Sequence, residues 1–345
     1  MSQADSIGRV DGREIRAFTI TNGKGVKALI MELGATLLEL HAPDRNGKLA
    51  DIALGERDLA AYLVSHSYFG AICGRYGNRI GRGRFVLDGK LHQLSCNEGR
   101  NHLHGGLRGF DKHLWTGRPA ADGRSVTFSY RSADGEEGFP GNLDATVAYG
   151  LDEEDRLILE IEAGTDRPTV CNLVNHSYWN LAGHGAGEVL DHELTLDADF
   201  YTPVDAELIP TGEIRKVEGT PMDFHQAKPI GRDIARVEGV VGYDHSFVLR
   251  GAAGELKRAA RLFHPASGRG LELHTTEPAV QLYTSAHFDG RTMGKGGHAY
   301  PRFGGVALET QHFPDAPNQG HFLSTRLDPG QRYRHRMEFR FFMEK

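Results

Sequence analysis

Cysteine is scarce in this chain: Cys73, Cys96 and Cys171 are the only three in 345 residues. They lie far apart, and no two of them form a Cys-x-x-Cys pair. This count and spacing argue against a disulfide framework and against a structural zinc site, both of which need ordered sets of ligating or pairing side chains. We expect three reduced thiols in a reducing compartment.

Long apolar runs and an excess of positive charge are also missing. No window approaches the roughly 20 apolar residues that span a bilayer, and residues 1–12 are polar, without the apolar stretch of a secretory signal. The formal net charge is −6, whereas nucleic-acid binding relies on clustered Lys and Arg. We therefore expect a cytoplasmic protein that binds neither membranes nor nucleic acids.

Three signatures of nucleotide-binding and hydrolytic enzymes are absent from the sequence. There is no Gly-x-Gly-x-x-Gly between a strand and a helix, no Gly-x-x-x-x-Gly-Lys-Ser/Thr loop and no Gly-x-Ser-x-Gly elbow. These absences argue against redox chemistry with a nucleotide cofactor and against serine hydrolysis.

The chain does contain 44 glycines and many segments in which apolar and polar residues alternate. Alternation on both sides of Asp88–Gly89 predicts a hairpin over residues 84–94. The same pattern predicts a second hairpin over residues 144–163 and a strand from residue 333 to 341. Because alternation buries one face of each strand, the pattern predicts an all-β protein, a large antiparallel β-sandwich.

Helical signals are few, and only residues 56–64 and 232–237 predict short helices. The glycine-rich stretch 290–305 is followed by too little sequence to form a second domain. It predicts a long loop near a functional site. We expect residues 1–345 to form a single domain.

Two polar clusters occur in the first third of the chain. Asn78 and Arg79 offer an amide and a guanidinium, which suit a ligand rich in hydroxyl groups. In a strand, His102 and His104 would point to the same face, which is also the spacing of a metal-binding pair. Residues 105–109 supply no carboxylate ligand, so a metal site, a hydrogen-bonding role and a structural role all stay open.

Three more candidates lie further along the chain. His176 is flanked by apolar strand residues, and an imidazole exchanges protons near neutral pH. Asp244 opens an apolar strand, where a turn or cap role is the ordinary alternative to ligand binding. Glu309 directly follows Val-Ala-Leu in a strand that should be buried, and glutamate is seldom buried unless it is paired or functional.

Taken in order, these clusters resemble the galactose mutarotase (aldose 1-epimerase) family. The segments that carry the resemblance are Leu33-Gly34-Ala35-Thr36, Gly74-Arg75-Tyr76-Gly77-Asn78-Arg79-Ile80, Asn101-His102-Leu103-His104-Gly105-Gly106, Arg108-Gly109-Phe110-Asp111-Lys112, Asn175-His176-Ser177-Tyr178-Trp179-Asn180-Leu181, Tyr201-Thr202-Pro203-Val204-Asp205, Gly242-Tyr243-Asp244-His245 and Leu308-Glu309-Thr310-Gln311. Each segment is a weak signal alone, but the ordered series extends over nearly the whole chain and is specific.

The resemblance implies a role for each matching position. Glu309 would be the general base and His176 the general acid, on opposite sides of a cyclic aldose, with His104 as a second active-site histidine. The sugar-binding positions that it implies are Asn78, Arg79, Tyr178, Asp244 and Gln281. It implies an isomerase of free aldoses such as galactose and glucose, with no cofactor and no metal ion. The expected partner is a monosaccharide, and the expected assembly is a monomer or homodimer.

Three alternatives stay open at this point. A non-catalytic carbohydrate-binding β-sandwich would share the sugar-binding residues. A metal-dependent isomerase or lyase would use His102 and His104. An epimerase of the same fold would act on another sugar, such as a pentose or a deoxy sugar.

Overall fold

The computed structural model describes residues 4–344, and the elements named below belong to that range. Its first strands are β1 Ala4–Val10, β2 Arg13–Thr21, β3 Lys27–Met31, β4 Thr36–Pro43, β5 Leu49–Asp51, β6 Ile72–Cys73, β7 Arg79–Ile80, β8 Arg84–Leu87, β9 Lys90–Gln93, β10 His102–Leu103, β11 Thr116–Pro119, β12 Ser125–Ser132, β13 Leu143–Leu151, β14 Arg156–Thr165 and β15 Thr169–Val170. The later strands are β16 Val174–Asn175, β17 Tyr178–Trp179, β18 Glu193–Leu196, β19 Ala198–Thr202, β20 Arg215–Lys216, β21 Lys228–Pro229, β22 Asp244–Leu249, β23 Lys257–Phe263, β24 Arg269–Thr275, β25 Ala279–Tyr283, β26 Thr292–Met293, β27 Ala299–Tyr300, β28 Val306–Gln311, β29 Arg326–Leu327 and β30 Tyr333–Met343.

The largest sheet has nine antiparallel strands in the order β11-β12-β13-β14-β30-β24-β23-β18-β21. Its centre contains the predicted hairpin over residues 144–163, in which β13 pairs with β14, and the predicted C-terminal strand β30. Alternate residues of these strands are fully buried. Period-two patterning alone had predicted this hairpin and this strand, because each side chain on the inner face of a strand removes apolar surface from water.

A second sheet has six strands in the order β17-β28-β25-β22-β19-β20. Trp179 of β17 packs against Phe339 and Phe341 of β30, with ring centroids 5.1 and 5.7 Å apart, so this sheet faces the nine-stranded one across a common core. The predicted fold class, an antiparallel β-sandwich, is thereby confirmed.

A third sheet is formed by the N-terminal strands in the order β1-β2-β3-β4-β5. Phe18 of β2 meets Phe128 of β12 edge to face, with ring centroids 5.7 Å apart, so the third sheet packs on the end of the nine-stranded one. The remaining strands form short pairs, among them β8 with β9, which is the hairpin predicted around Asp88–Gly89.

Helices are short, as expected. The one α-helix in the described residues, α1, spans Leu59–Val64 within the predicted segment, and the Asp58 side chain caps it by accepting a hydrogen bond from the Ala61 N–H. The prediction for residues 232–237 is wrong in detail, because the chain there forms two 3-10 turns, Ile230–Arg232 and Ile234–Arg236, that meet at Asp233. No helix of the described chain is long and apolar enough to cross a membrane.

The sequence predicted a long loop near a functional site over the glycine-rich stretch 290–305, and the structure shows that this segment is not one continuous loop. Strands β26 and β27 form a small hairpin in it, and the Tyr300 ring is buried against Phe69, with ring centroids 5.5 Å apart. Lys295 donates a hydrogen bond to the Leu38 carbonyl at 2.7 Å. The aromatic anchor and the lysine tie this segment to the body of the protein, which its glycine content alone did not reveal.

Candidate active site

The outer face of the six-stranded sheet presents polar side chains next to one another. In β28, Leu308 points into the core while Glu309, the next residue, points to the opposite face. Gln281 of β25 is the register partner of Glu309, and Asp244 of β22 is the register partner of Tyr283. Strand alternation and register therefore place two carboxylates and an amide on one surface.

His176 reaches the same surface from the turn between β16 and β17. Its backbone N–H donates to the Ala71 carbonyl and its carbonyl accepts from the Gly70 N–H, both at 2.9 Å. Tyr178 lies in β17, opposite Ala307 of β28. Strand β17 and the turn before it therefore bring Tyr178 and His176 next to the strand that contains Glu309. These bonds fix the position of His176 relative to the sheet.

Asn78 and His104 flank the short pair β7–β10 and hold each other. Both have left-handed backbones, with φ of 61° and 50°. The Asn78 carbonyl accepts from the His104 N–H at 3.0 Å, and Nδ1 of His104 accepts from the Asn78 N–H at 3.2 Å. Non-glycine residues in this region of backbone conformation are uncommon and cluster at functional sites.

The expected pairing of His102 with His104 on one face is wrong. The strand ends at Leu103, and the left-handed conformation of His104 turns its side chain away from the strand pattern. His102 is buried elsewhere, with Nδ1 2.9 Å from the Ser95 carbonyl and its ring at the edge of Phe139. The metal-dependent alternative built on these two histidines therefore loses its basis.

A cavity of about 620 Å³ opens on this surface. Of the eight site residues that the resemblance implied, seven line it: Glu309, His176, His104, Asn78, Arg79, Tyr178 and Asp244. Gln281 is not part of the lining. It lies behind Asp244 and donates a hydrogen bond to that carboxylate at 2.6 Å, while its own carbonyl accepts from the Gln311 side chain at 3.2 Å.

Glu309 and His176 lie side by side in the cavity. Oε1 of Glu309 is 3.5 Å from Nε2 of His176, and only 2% and 4% of the two side chains is exposed. Burial, reinforced by the charge of Asp244, raises the pKa of Glu309 well above its usual range, although Arg79 opposes this shift. Burial lowers the pKa of His176 to about 3. Both shifts favour the uncharged forms of the two groups, a carboxylic acid and a neutral imidazole.

Aromatic rings set the plane of the His176 imidazole. Tyr178 and Tyr68 lie nearly parallel to it, at interplanar angles of 25° and 22° and centroid distances of 4.9 and 5.8 Å. The His104 ring approaches edge on, with centroids 4.9 Å apart. Such packing restricts ring rotation and so keeps Nε2 close to Glu309.

Glu309, His176 and His104 offer ligand atoms that all lie within 4.8 Å of one another, which is close enough to consider a metal ion. The hydrogen bond from the Asn78 N–H occupies the lone pair on Nδ1 of His104. Because burial holds the pKa of His104 well below its usual value, the ring is neutral and its proton lies on Nε2. An N–H group cannot ligate a metal, so His104 fits the role of a hydrogen-bond donor.

Several residues at the cavity were not predicted from the sequence. Tyr68, Glu98, Tyr283 and His287 all line it. Tyr283 belongs to the strand that carries Gln281, so its place at the sheet end could have been read from alternation. Tyr68 and Glu98 come from loops, and no periodicity in the sequence marks them.

Comparisons with known proteins agree with this geometry. Residues 16–340 match the aldose 1-epimerase family. The chain is 46% identical to galactose mutarotase of Bos taurus over 312 residues, 90% of each chain, and 38% identical to aldose 1-epimerase of Escherichia coli K12 over 339 residues, 97% of each chain. Among solved structures, it is similar to an aldose epimerase homologue from C. elegans, with a TM-score of 0.89, 32% identity and coverage of 95% of this chain and 99% of the other. Galactose 1-epimerase from Lactobacillus acidophilus gives a TM-score of 0.86 at 29% identity, with coverage of 100% and 99%.

Proposed function

This chain belongs to the aldose 1-epimerase family, and we propose that its Glu309 and His176 catalyse the family's reaction as general base and general acid. The chain is an isomerase that interconverts the α and β anomers of a free aldose. The observation that supports the assignment of residues is the 3.5 Å contact between the Glu309 carboxylate and the His176 imidazole inside one cavity.

The reaction requires two proton transfers on one molecule. A cyclic aldose is a hemiacetal, so ring opening removes the proton of the C1 hydroxyl, breaks the bond between C1 and the ring oxygen, and protonates that oxygen. Rotation about the C1–C2 bond then exposes the other face of the aldehyde, and closure reverses the transfers. The oxidation state of the sugar does not change, so the proposed mechanism uses no redox cofactor.

The adjacency of the two groups modifies the expectation that they would act from opposite sides of the sugar. The C1 hydroxyl oxygen and the ring oxygen are bonded to the same carbon. Neighbouring groups such as Glu309 Oε1 and His176 Nε2 can therefore reach one oxygen each from the same side. In the proposed mechanism, Glu309 takes the hydroxyl proton while His176 protonates the ring oxygen.

The pKa shifts of Glu309 and His176 bear on which of the two groups carries a proton before and after the sugar binds. The raised pKa of Glu309 and the lowered pKa of His176 both favour the form in which the carboxyl group carries the proton and the imidazole is neutral. A bound sugar donates its C1 hydroxyl to Glu309 and accepts from His176 at the ring oxygen, which favours the form with a carboxylate and an imidazolium. Both forms carry one proton, so the pair needs no proton from solvent during a turnover.

The other side chains orient the sugar and stabilise the charge that develops on it. His104 presents Nε2–H, and Arg79 keeps Nη1 without a partner in the described chain, so both are available as donors to sugar oxygens. Asp244 accepts hydrogen bonds from ring hydroxyls and is itself oriented by Gln281. Asn78 contributes to the hydroxyl contacts, and Tyr178 keeps His176 in plane.

The wider setting is also a proposal. The substrate is a monosaccharide such as galactose or glucose, and neither nucleic acid nor membrane is a partner, as the net charge of −6 supports. A cytoplasmic location agrees with the unpaired Cys73, Cys96 and Cys171. The assembly is a monomer or homodimer.

Polarimetry tests the proposed function directly. Freshly dissolved α-galactose, α-glucose, α-xylose and arabinose are each followed with and without the protein, and the spontaneous rate is subtracted. Acceleration with turnover supports the proposal, and the ranking of the four sugars identifies the preferred one. Binding of the sugars without any acceleration would instead indicate a non-catalytic carbohydrate-binding protein.

A further inference from the structure

The cavity lining carries one full positive charge. Among the described residues that line it, Arg79 is the single Lys or Arg, and its side chain is only 8% exposed. Its charge acts on both Asp244 and Glu309. A buried guanidinium with free donors binds anionic groups well, so an unpaired Arg79 would attract acidic sugars as well as neutral ones.

Glu98 neutralises this charge through a bidentate ion pair. Nε of Arg79 donates to Oε2 of Glu98 at 2.6 Å, and Nη2 donates to Oε1 at 2.7 Å. Paired bonds of this kind are among the strongest hydrogen bonds in proteins and hold both planes in place. Glu98 itself lines the cavity, so a ligand meets the ion pair and not an isolated cation.

The loop that carries Glu98 is built to keep the carboxylate in position. Glu98 and Asn101 exchange two backbone hydrogen bonds, at 3.2 and 2.9 Å. The neighbouring Asn97 side chain accepts from the Leu103 N–H at 2.8 Å and donates to the Leu103 carbonyl at 2.9 Å. Leu103 pairs with Arg79 across the short β7–β10 ladder, so the loop and the arginine share one rigid unit.

We propose that Glu98 is a specificity-determining residue that cancels the charge of Arg79 and thereby restricts the cavity to uncharged aldoses. The proposal rests on the proposed function of the site. Because Glu98 offsets the charge of Arg79, a substrate that carries its own carboxylate finds no uncompensated positive charge in the cavity lining and meets the carboxylate of Glu98 instead. Like charges brought together in a partly dry cavity repel, which lowers the affinity for such a sugar.

Galactose and galacturonate provide the matched pair of substrates. They differ only at C6, where the hydroxymethyl group of one is a carboxylate in the other, and both interconvert their anomers. The values of kcat/KM for the two sugars are measured at one neutral pH for the wild type and for Glu98→Gln. The glutamine retains the size of the side chain and an acceptor for Arg79 while it removes the negative charge.

We expect Glu98→Gln to raise kcat/KM for galacturonate relative to galactose by about tenfold. A factor of this size is on the order of the repulsion between two unit charges about 4 Å apart in a water-like medium. Galacturonate should also inhibit galactose turnover more tightly in the variant by a similar factor. The control is Glu213→Gln, which breaks a bidentate pair with Arg215 of similar geometry, 2.8 and 2.7 Å, outside the cavity lining. Its substrate ratio should match that of the wild type.

Three results would overturn the proposal. A parallel loss of activity toward both sugars would show that Glu98 has a structural role only, and an unchanged ratio would show that the ion pair does not discriminate by charge. A shift of the ratio in Glu213→Gln equal to that in Glu98→Gln would also count against it, since net charge alone would then explain the effect. If the folded wild type failed to accelerate galactose at all, the proposed function itself would be contradicted, which the ratio between variants does not test.

Discussion

Oε1 of Glu309 and Nε2 of His176 lie 3.5 Å apart. Glu309 belongs to β28, and His176 lies in the turn before β17, the strand that pairs with β28. Each group is buried, and within the described residues neither forms an ion pair with any third side chain. Oε2 of Glu309 and Nδ1 of His176 also make no hydrogen bond within the described chain. Buried polar atoms are nearly always satisfied, so this concentration of unsatisfied atoms indicates a site adapted to a ligand rather than to stability.

Replacing Glu309 with glutamine should abolish most of the catalysis. Glutamine has the size of the protonated side chain but cannot accept the hydroxyl proton, so we expect kcat for anomer interconversion to fall by at least about 100-fold. Because the raised pKa of Glu309 means that burial already favours an uncharged group, the fold should be retained. Polarimetry and circular dichroism check the two expectations, with Glu213→Gln as the active control. Wild-type turnover in Glu309→Gln would reject the assignment of the base.

The variant His176→Asn separates an acid from a binding residue. Asparagine retains a donor near the ring oxygen but cannot transfer a proton, so kcat should fall about 100-fold with a small change in KM. Steady-state polarimetry over a range of galactose concentrations yields both constants. If KM alone rose, His176 would bind the sugar and another group would be the acid.

The pH profile should reflect the opposite pKa shifts of Glu309 and His176. Activity requires one proton on the Glu309–His176 pair. A second proton binds only as the pH approaches the lowered pKa of His176, about 3, and the last proton leaves only above the raised pKa of Glu309. We therefore expect kcat/KM, corrected for spontaneous mutarotation, to fall as the pH drops toward about 3 and to fall again as the pH rises through the raised pKa of Glu309. A midpoint near 6.5, the unshifted value for histidine, would contradict this view.

The variant Asp244→Asn tests the direction in which the upper midpoint of the pH profile moves. The charge of Asp244 contributes to the raised pKa of Glu309, so its removal should lower that pKa and move the upper midpoint to lower pH. KM should rise at the same time, because a hydroxyl acceptor is lost. A higher KM without any shift of the midpoint would show that Asp244 binds sugar but does not tune the base.

A buried ion pair between Glu277 and His312 predicts a pH-dependent stability. Nδ1 of His312 lies 2.5 Å from Oε2 of Glu277, whose carboxylate is 2% exposed. Burial alone would raise the pKa of Glu277, but His312 and His335 lower it below 4.5. Burial would lower the pKa of His312, yet Glu277 raises it above 6.5.

The pKa shifts of Glu277 and His312 define the pH range in which the ion pair stabilises the fold. The contribution of Glu277 is present above pH 4.5 and is lost as the pH falls through its lowered pKa, whereas that of His312 is present below pH 6.5 and is lost as the pH rises through its raised pKa. Between pH 4.5 and pH 6.5, Glu277→Gln should therefore lower the free energy of unfolding by about 3–5 kcal/mol. At higher pH the loss should be smaller, because His312 is then uncharged. Denaturant unfolding at several pH values measures this difference. A loss that is independent of pH would contradict the ion pair, and the exposed control variant Glu213→Gln should leave the free energy of unfolding nearly unchanged.

Removal of divalent metal ions should leave the activity unchanged. The tautomer of His104 makes its Nε2 a donor, so the site lacks a full set of ligands. Dialysis against a chelator, followed by polarimetry, checks this expectation. Activity that is lost on chelation and restored by a metal ion would revive the metal-dependent alternative.

The sequence by itself determined the strands and most of the site. Period-two alternation in residues 144–163 and 333–341 could be read directly, because one-sided burial leaves that pattern in any antiparallel sheet. The ordered motifs likewise identified Glu309 and His176 as the candidates for proton transfer.

Only the tertiary structure decided how these residues meet. The left-handed backbone of His104 separates it from His102, and strand register places Gln281 behind Asp244 instead of in the cavity. The adjacency of Glu309 and His176, and the pairing of Arg79 with Glu98, depend on segments brought together from distant parts of the chain. Local sequence patterns report which face of a strand is buried, but contacts between such segments depend on how whole sheets pack, which no local pattern encodes.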